Sequence, residues 1–150
     1  MNDDIVVRKM KTDDIHEVVC IEKECFSLPW SEKAFEESLA LPYGIFFVAE
    51  HGNEIAGYVG VYRMGDECDI TNVAVSYVHR RIGIGKKLLE EVEKYAMDNG
   101  IQSITLEVRE SNTPAINLYK AMRYKNIGIR KNFYEKPTEN AIIMVRQFSD

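Results

Sequence analysis

The chain has 150 residues, 45% hydrophobic and 29% charged, which suits one soluble domain (1–150) with its own buried core. A net charge of −5 argues against nucleic acid as the main partner and is compatible with a basic peptide. No apolar run approaches the length of a membrane span, the start Met1-Asn2-Asp3-Asp4 is unlike a signal peptide, and Cys20, Cys25, Cys68, His16, His51 and His79 lack metal-ligand spacing, so a cytoplasmic, metal-free protein with reduced cysteines is expected.

Residues 5–10 read as a first strand. Thr12 is placed to cap a helix with Asp13 and Asp14 in its first turn, and Ile15, Val18 and Val19 form the inward stripe of that helix, to about Phe26. Pro29 breaks the helical geometry before it. Ser31 can then cap a second helix, with Trp30 and Phe35 as a hydrophobic staple. Residues 45–50 and 55–62 read as strands around His51-Gly52-Asn53-Glu54, and a further strand covers 68–75.

A helix carried by Leu88, Leu89, Val92, Tyr95 and Ala96 follows, stopped by Asn99-Gly100. Residues 103–109 alternate, with Ile104, Leu106 and Val108 on one face and Thr105, Glu107 and Arg109 on the other. Thr113-Pro114 should open a fourth helix with Thr113 as its cap, its stripe being Ala115, Leu118, Tyr119 and Met122. Two closing strands, 126–130 and 141–147, flank a polar, aromatic loop. The order β-α-α-β-β-β-α-β-α-β-β describes a mixed α/β domain.

The chemistry concentrates at residues 72–89, where a strand turns through a basic, glycine-containing segment into a helix. That geometry favours an anion, because unpaired N–H groups and the helix dipole point at the turn. Gly83 and Gly85 begin a G-x-G, but Leu88 stands where a dinucleotide fingerprint needs its third Gly or Ala. Arg80 and Lys87 likewise break a Walker loop. What remains is R-x-x-G-x-G: Arg80, Gly83 and Gly85.

This pattern resembles the pyrophosphate-binding motif of the GNAT superfamily, the acetyl-CoA-dependent N-acetyltransferases. Together with Phe26-Ser27-Leu28-Pro29-Trp30-Ser31, the block from Leu106 to Tyr119, Arg130-Lys131-Asn132-Phe133-Tyr134 and Ala141-Ile142-Ile143-Met144, it resembles the RimI-type N-terminal acetyltransferases, which modify the N-terminal alanine of a small-subunit ribosomal protein.

The resemblance implies a GNAT fold, with a mixed sheet of about six to seven strands and about four helices, splayed at the acetyl-CoA site. It puts Val73, Ala74 and Val75 beside the acetyl and pantetheine part of the cosubstrate. Arg80, Arg81, Ile82, Gly83, Ile84, Gly85 and Lys86 would form the pyrophosphate loop, and Asn112 is implied as a further contact. Glu107 would be the general base and Tyr119 the general acid, with Phe26, Pro29, Trp30 and Tyr134 flanking the peptide. The acceptor would be the N-terminus of a small-subunit ribosomal protein, without direct nucleic-acid or membrane binding.

The residue chemistry agrees with those roles. An α-amino group has a pKa of about 8 against about 10.4 for lysine, so part of it is neutral at pH 7. A carboxylate can take the remaining proton, and a phenol can protonate the departing thiolate. Two alternatives stay open: a GNAT enzyme for a small amine, and a non-catalytic acyl-CoA-binding module.

Three departures stand out. Arg123-Tyr124 replaces the Gly-Phe usual after the fourth helix, Ile82 replaces a polar residue, and Asn140 stands where an acid often precedes the last strand.

Overall fold

The computed structural model describes residues 4–148, so Met1 to Asp3 of the acidic start lie outside the described residues. Strand β1 (Ile5–Lys9) leads through a short 3-10 turn to helices α1 (Ile15–Cys25) and α2 (Glu32–Ala40). Strands β2 (Gly44–His51), β3 (Glu54–Met64) and β4 (Glu67–Val75) follow as an antiparallel meander. Helix α3 (Ile84–Asp98) crosses to β5 (Ser103–Arg109), α4 (Thr113–Ala121) comes next, and β6 (Lys125–Tyr134) and β7 (Glu139–Gln147) close the chain. The seven strands form one sheet in the order β1-β2-β3-β4-β5-β7-β6, so the element order and the mixed sheet with four helices stand as expected.

Both faces of the sheet are covered. Helix α3, with Ile84, Leu88, Leu89, Val92 and Ala96 buried, packs with α4 over a core that includes Val59, Val61, Ile104, Leu106 and Met144. Helices α1 and α2 cover the other face, where Val18, Phe35, Phe46, Val48 and Tyr58 meet. Phe35 is fully buried and packs edge-on against Tyr58. Double coverage explains why β3 reads as an almost continuous apolar run instead of an alternating one.

Local chemistry sets the helix starts, not always where the sequence suggests. Ser31 caps α2 as expected, its Oγ accepting the Ala34 N–H at 3.1 Å, and the Trp30 and Phe35 rings lie 5.1 Å apart as the staple. At α1 the expectation needs correction. Thr12–Asp14 form the 3-10 turn, because Arg8 binds the Asp14 carboxylate through two nitrogens at 2.8 and 2.9 Å. Asp14 in turn accepts the Lys11 N–H at 2.7 Å, so the helix starts at Ile15. At α4 the cap is Asn112, not Thr113: its Oδ1 accepts the Ala115 N–H at 3.3 Å, while a turn from Asn112 N–H to the Arg109 carbonyl places it there.

The closing hairpin is longer than its sequence suggests. Asn132 takes positive φ and donates its N–H to Asn140 Oδ1 at 2.9 Å. That irregularity lets the ladder resume at Tyr134↔Glu139, so Phe133 and Tyr134 sit on a strand and not in a loop. This is also the structural use of Asn140.

Arg123 takes the left-handed conformation, with φ at 73°, that glycine usually supplies after this helix. Replacing it, Arg123→Gly, should raise stability by about 1 kcal/mol and the midpoint of thermal unfolding by about 3 °C. Ser31→Ala should move the same melt downward by a similar amount through loss of the α2 cap.

Candidate active site

The site begins where two strands part. Strands β4 and β5 are the sheet's parallel pair, and they are joined only at Glu67↔Ser103, Cys68↔Ile104 and Asp69↔Thr105. Just beyond, β4 carries a bulge: Gly60 of β3 opposes Asn72 and Val61 opposes Ile70, leaving Thr71 as the extra residue. A bulge bends its strand and strengthens the twist, turning β4 away from β5. Gly60 permits it, since a Cβ there would lie 2.8 Å from Thr71 Oγ1 and 2.9 Å from Asn72 Oδ1, and would also strike the Phe46 ring.

The gap is a cleft of about 380 Å³. Its floor comes from Thr71, Asn72 and Val73 on β4 and from Leu106 to Arg109 on β5. Residues 26–28 and Trp30, between α1 and α2, wall one side, while Phe133, Tyr134 and Glu135 wall the other. Asn112 and Tyr119 of α4 also line it. The cleft therefore brings together Glu107, Tyr119, Asn112, Val73, Phe26, Trp30 and Tyr134 from five separate stretches of sequence. Pro29 does not line the cleft; it shapes the segment that does. Ala74 is buried in the core under α1, and Val75 lies at the strand end.

Glu107 is partly exposed, and its Oε2 accepts from Arg130 Nε of β6 at 3.2 Å. Tyr119 is 6% exposed and packs on Tyr124, and burial pushes its phenol well above the ordinary tyrosine range. The Tyr134 phenol is likewise pushed up to about 12 by burial, while Arg109 lies over its ring at 4.5 Å. Arg109 also donates to the carbonyls of Pro137 and Glu135, each at 2.9 Å, and to Glu139 at 3.1 Å. Glu139 accepts the Ser111 N–H at 2.6 Å; Ser111 first, then Arg109, hold its carboxyl below the usual range. This network fixes the β6–β7 wall against the entry to α4.

The basic loop lies at the N-terminus of α3, beyond the end of β4. Gly83 adopts φ of 89° as the residue preceding the helix, and Arg81 has φ of 70°. The Lys87 N–H makes a bond to the Gly83 carbonyl at 3.1 Å, so the amides of Ile84, Gly85 and Lys86 precede the first complete helical turn and remain available to an anion. Arg81 and Lys86 are exposed beside them, Ile82 is partly buried, and Ile84 is buried in the core. Gly85 is held close by Leu118, whose Cδ2 would lie 3.3 Å from an added Cβ.

Arg80, at the head of the same loop, is held by three groups of the chain. Its Nε donates to the Val75 carbonyl at 3.0 Å, its Nη2 to Cys25 Sγ at 3.3 Å, and its guanidinium lies over the Tyr77 ring at 4.0 Å. It braces the turn while remaining exposed. His79, bonded to Glu54 and His51 at 3.0 Å each, ties the same turn to the β2–β3 hairpin.

Residues 15–124 match the Acetyltransferase (GNAT) family. The chain belongs to that family. It is 37% identical to a putative ribosomal protein bS18-alanine N-acetyltransferase of Bacillus subtilis, over 92% of each chain. It is 33% identical to the ribosomal protein bS18-alanine N-acetyltransferase of Escherichia coli, covering 95% of this chain and 97% of that one. The crystal structure of the ribosomal-protein-S18-alanine N-acetyltransferase from Escherichia coli superposes with a TM-score of 0.90 at 30% identity, covering 97% of this chain and 95% of that one.

The GNAT fold accounts for the splayed strands, and acetyl-CoA is the cosubstrate of this acetyltransferase. The residues present fit that molecule: a cleft between the parted strands, and beyond the end of β4 a helix N-terminus with exposed Arg81 and Lys86. Among the described residues no cluster of three metal-ligating side chains occurs, and no helix is long and apolar enough to cross a membrane.

Sequence reasoning missed Glu22, Asn72 and Arg109 in the cleft lining and the Arg130 partner of Glu107. Asn72, Arg109 and Arg130 each lay within a stretch already singled out, whereas Glu22 had no nearby signal.

The three thiols give a direct check on the cleft. Cys20 is exposed, Cys25 is half-buried in the cleft lining and Cys68 is buried, with its thiol pushed up to about 11. Burial also raises the Cys25 thiol, with Arg80 opposing. A thiol-specific reagent read by peptide mass spectrometry should label Cys20 first, Cys25 slowly and Cys68 only on unfolding. Saturating acetyl-CoA should protect Cys25 while leaving Cys20 unchanged.

Proposed function

We propose that the protein is a protein N-α-acetyltransferase acting in the cytoplasm, with the N-terminal residue of a small-subunit ribosomal protein, alanine by preference, as acceptor. The observation that carries the reading is the convergence of Glu107 and Tyr119 on one cleft beside the free edge of β4. The names of the bacterial relatives, similar over nearly their whole length, support the choice of acceptor. The proposed enzyme is a single domain spanning residues 1–150.

The acetyl donor supplies a thioester whose carbonyl carbon is open to attack by an amine. Val73, Ala74 and Val75 flank the acetyl end, Asn112 makes a further contact to CoA, and the loop at residues 81–86 holds the pyrophosphate through its amides. Arg80 acts indirectly, by bracing that loop. The new bond joins the amine nitrogen to the carbonyl carbon, and the carbon–sulfur bond breaks. Glu107 takes the proton lost by the amine, directly or through one water. Its ion pair with Arg130 is exposed and therefore weak, so an ammonium entering the cleft competes for the same carboxylate. Tyr119 gives a proton to the departing sulfur; burial keeps its phenol protonated throughout the working pH range.

Glu107→Gln should lower kcat by about 10²-fold or more and leave the acetyl-CoA dissociation constant unchanged, and Tyr119→Phe should do likewise. Near-normal turnover in either variant removes that residue from the chemistry. For the acceptor, short peptides beginning Ala-Arg are compared with matched peptides carrying a blocked N-terminus and an internal lysine. Acetylation of the free N-terminus alone is expected. Acetylation of the blocked peptide would indicate a lysine acetyltransferase, turnover of small amines alone a metabolite enzyme, and acetyl-CoA binding without turnover a non-catalytic module.

A further inference from the structure

Glu22 plays no part in the chemistry above, yet it lines the cleft and is 2% exposed. It sits on the inward stripe of α1 with Ile15, Val18 and Val19, a position where a carboxylate is costly unless its oxygens are satisfied. Its hydrogen-bonding partners here are neutral. Oε2 accepts the backbone N–H of Trp30 at 3.0 Å. Oε1 accepts from the Tyr58 hydroxyl and from Asn72 Nδ2, the latter at 3.4 Å.

These partners lie on different sides of the cleft. Trp30 belongs to the wall between α1 and α2, and Asn72 to the free edge of β4, next to the bulged Thr71. Trp30 anchors the wall through its ring, against Phe35 and Phe46, but the backbone of the wall has few polar ties. Among the described residues, the bond from Trp30 to Glu22 is the only hydrogen bond made by residues 27–30, and Leu28 is 52% exposed. Asn72 is constrained from behind, its Oδ1 accepting from Thr71 Oγ1 at 2.6 Å.

We propose that Glu22 is a positioning residue for the acceptor: its two oxygens pin the wall at residues 27–30 to the edge of β4 and so set the width of the pocket that receives the first residue of the peptide. The inference rests on the N-terminal acceptor reading. It assigns Glu22 control over affinity for the acceptor and discrimination by size, and none over acetyl-CoA, which enters from the α3 end. Burial raises the pKa of this carboxyl, and the Trp30 and Asn72 hydrogen bonds oppose that rise, as expected for a group held by donors on both sides.

Glutamine tests this because it keeps the shape of the side chain but has one oxygen, so it cannot accept on both sides. In Glu22→Gln the peptide KM should rise roughly tenfold while kcat stays within about threefold, consistent with the loss of one hydrogen bond to a charged group. The acetyl-CoA dissociation constant should not move, and preference for a small first residue over a large one should narrow. A second readout needs no acceptor at all. Trp30 is the chain's one tryptophan, so its emission should shift to the red and become more open to acrylamide quenching.

Tyr58→Phe, which removes one donor and keeps the buried ring, should give a smaller change in the same direction. Unchanged peptide KM and unchanged Trp30 emission in both variants would overturn the proposal. So would an acetyl-CoA dissociation constant displaced as far as the peptide KM, which would mark Glu22 as a general fold residue. If the wild-type protein acetylates no peptide, the acceptor reading fails first, and the Trp30 signals still decide whether Glu22 holds the wall.

Discussion

Everything chemical in this molecule depends on the failure of two neighbouring strands to stay paired. Strands β4 and β5 begin as ordinary parallel neighbours and separate after three register pairs. A continuous sheet would have filled this space with backbone hydrogen bonds and left no room for a ligand. The separation is stable because the bulge at Thr71 bends one strand away, and because Gly60 lets the bulged residues lie against β3 without a clash. The exposed polar backbone is then available at the centre of a doubly covered sheet, where apolar surroundings strengthen any hydrogen bond made to it.

Much of this was legible in the sequence, and for a physical reason. Alternation at residues 103–109, the helical stripe from Leu88 to Ala96 and the Ser31 cap with its Trp30–Phe35 staple are local patterns, and local patterns survive folding when tertiary contacts agree with them. The basic, glycine-containing turn into α3 was legible for the same reason, since it is built from consecutive residues. The cap at α4 shifted to Asn112 because two adjacent residues can both cap and the preceding turn decides between them. The start of α1 shifted because Arg8, across a turn, claimed the Asp14 carboxylate.

What stayed hidden were the relations between distant residues. No spacing rule connects Glu22 to Tyr58 and Asn72, or Arg130 to Glu107, because the sheet order brings them together and the chain order does not. The contacts of Arg80 were hidden in the same way: the carbonyl of Val75, the sulfur of Cys25 and the ring of Tyr77 give its guanidinium three partners that the motif does not reveal.

The three-pair seam also dictates an order of assembly. Strands β1 to β4 are linked by antiparallel pairing among neighbours along the chain, with α1 and α2 packed on one face, so this part can organise as soon as it leaves the ribosome. Strand β5 can join only after α3 has carried the chain across, and β7 must then insert between β5 and β6. A chain truncated at the end of α3 would hold the loop proposed for the pyrophosphate but neither proposed proton-transfer residue. On the proposed reading, the part that grips the donor is made before the part that uses it.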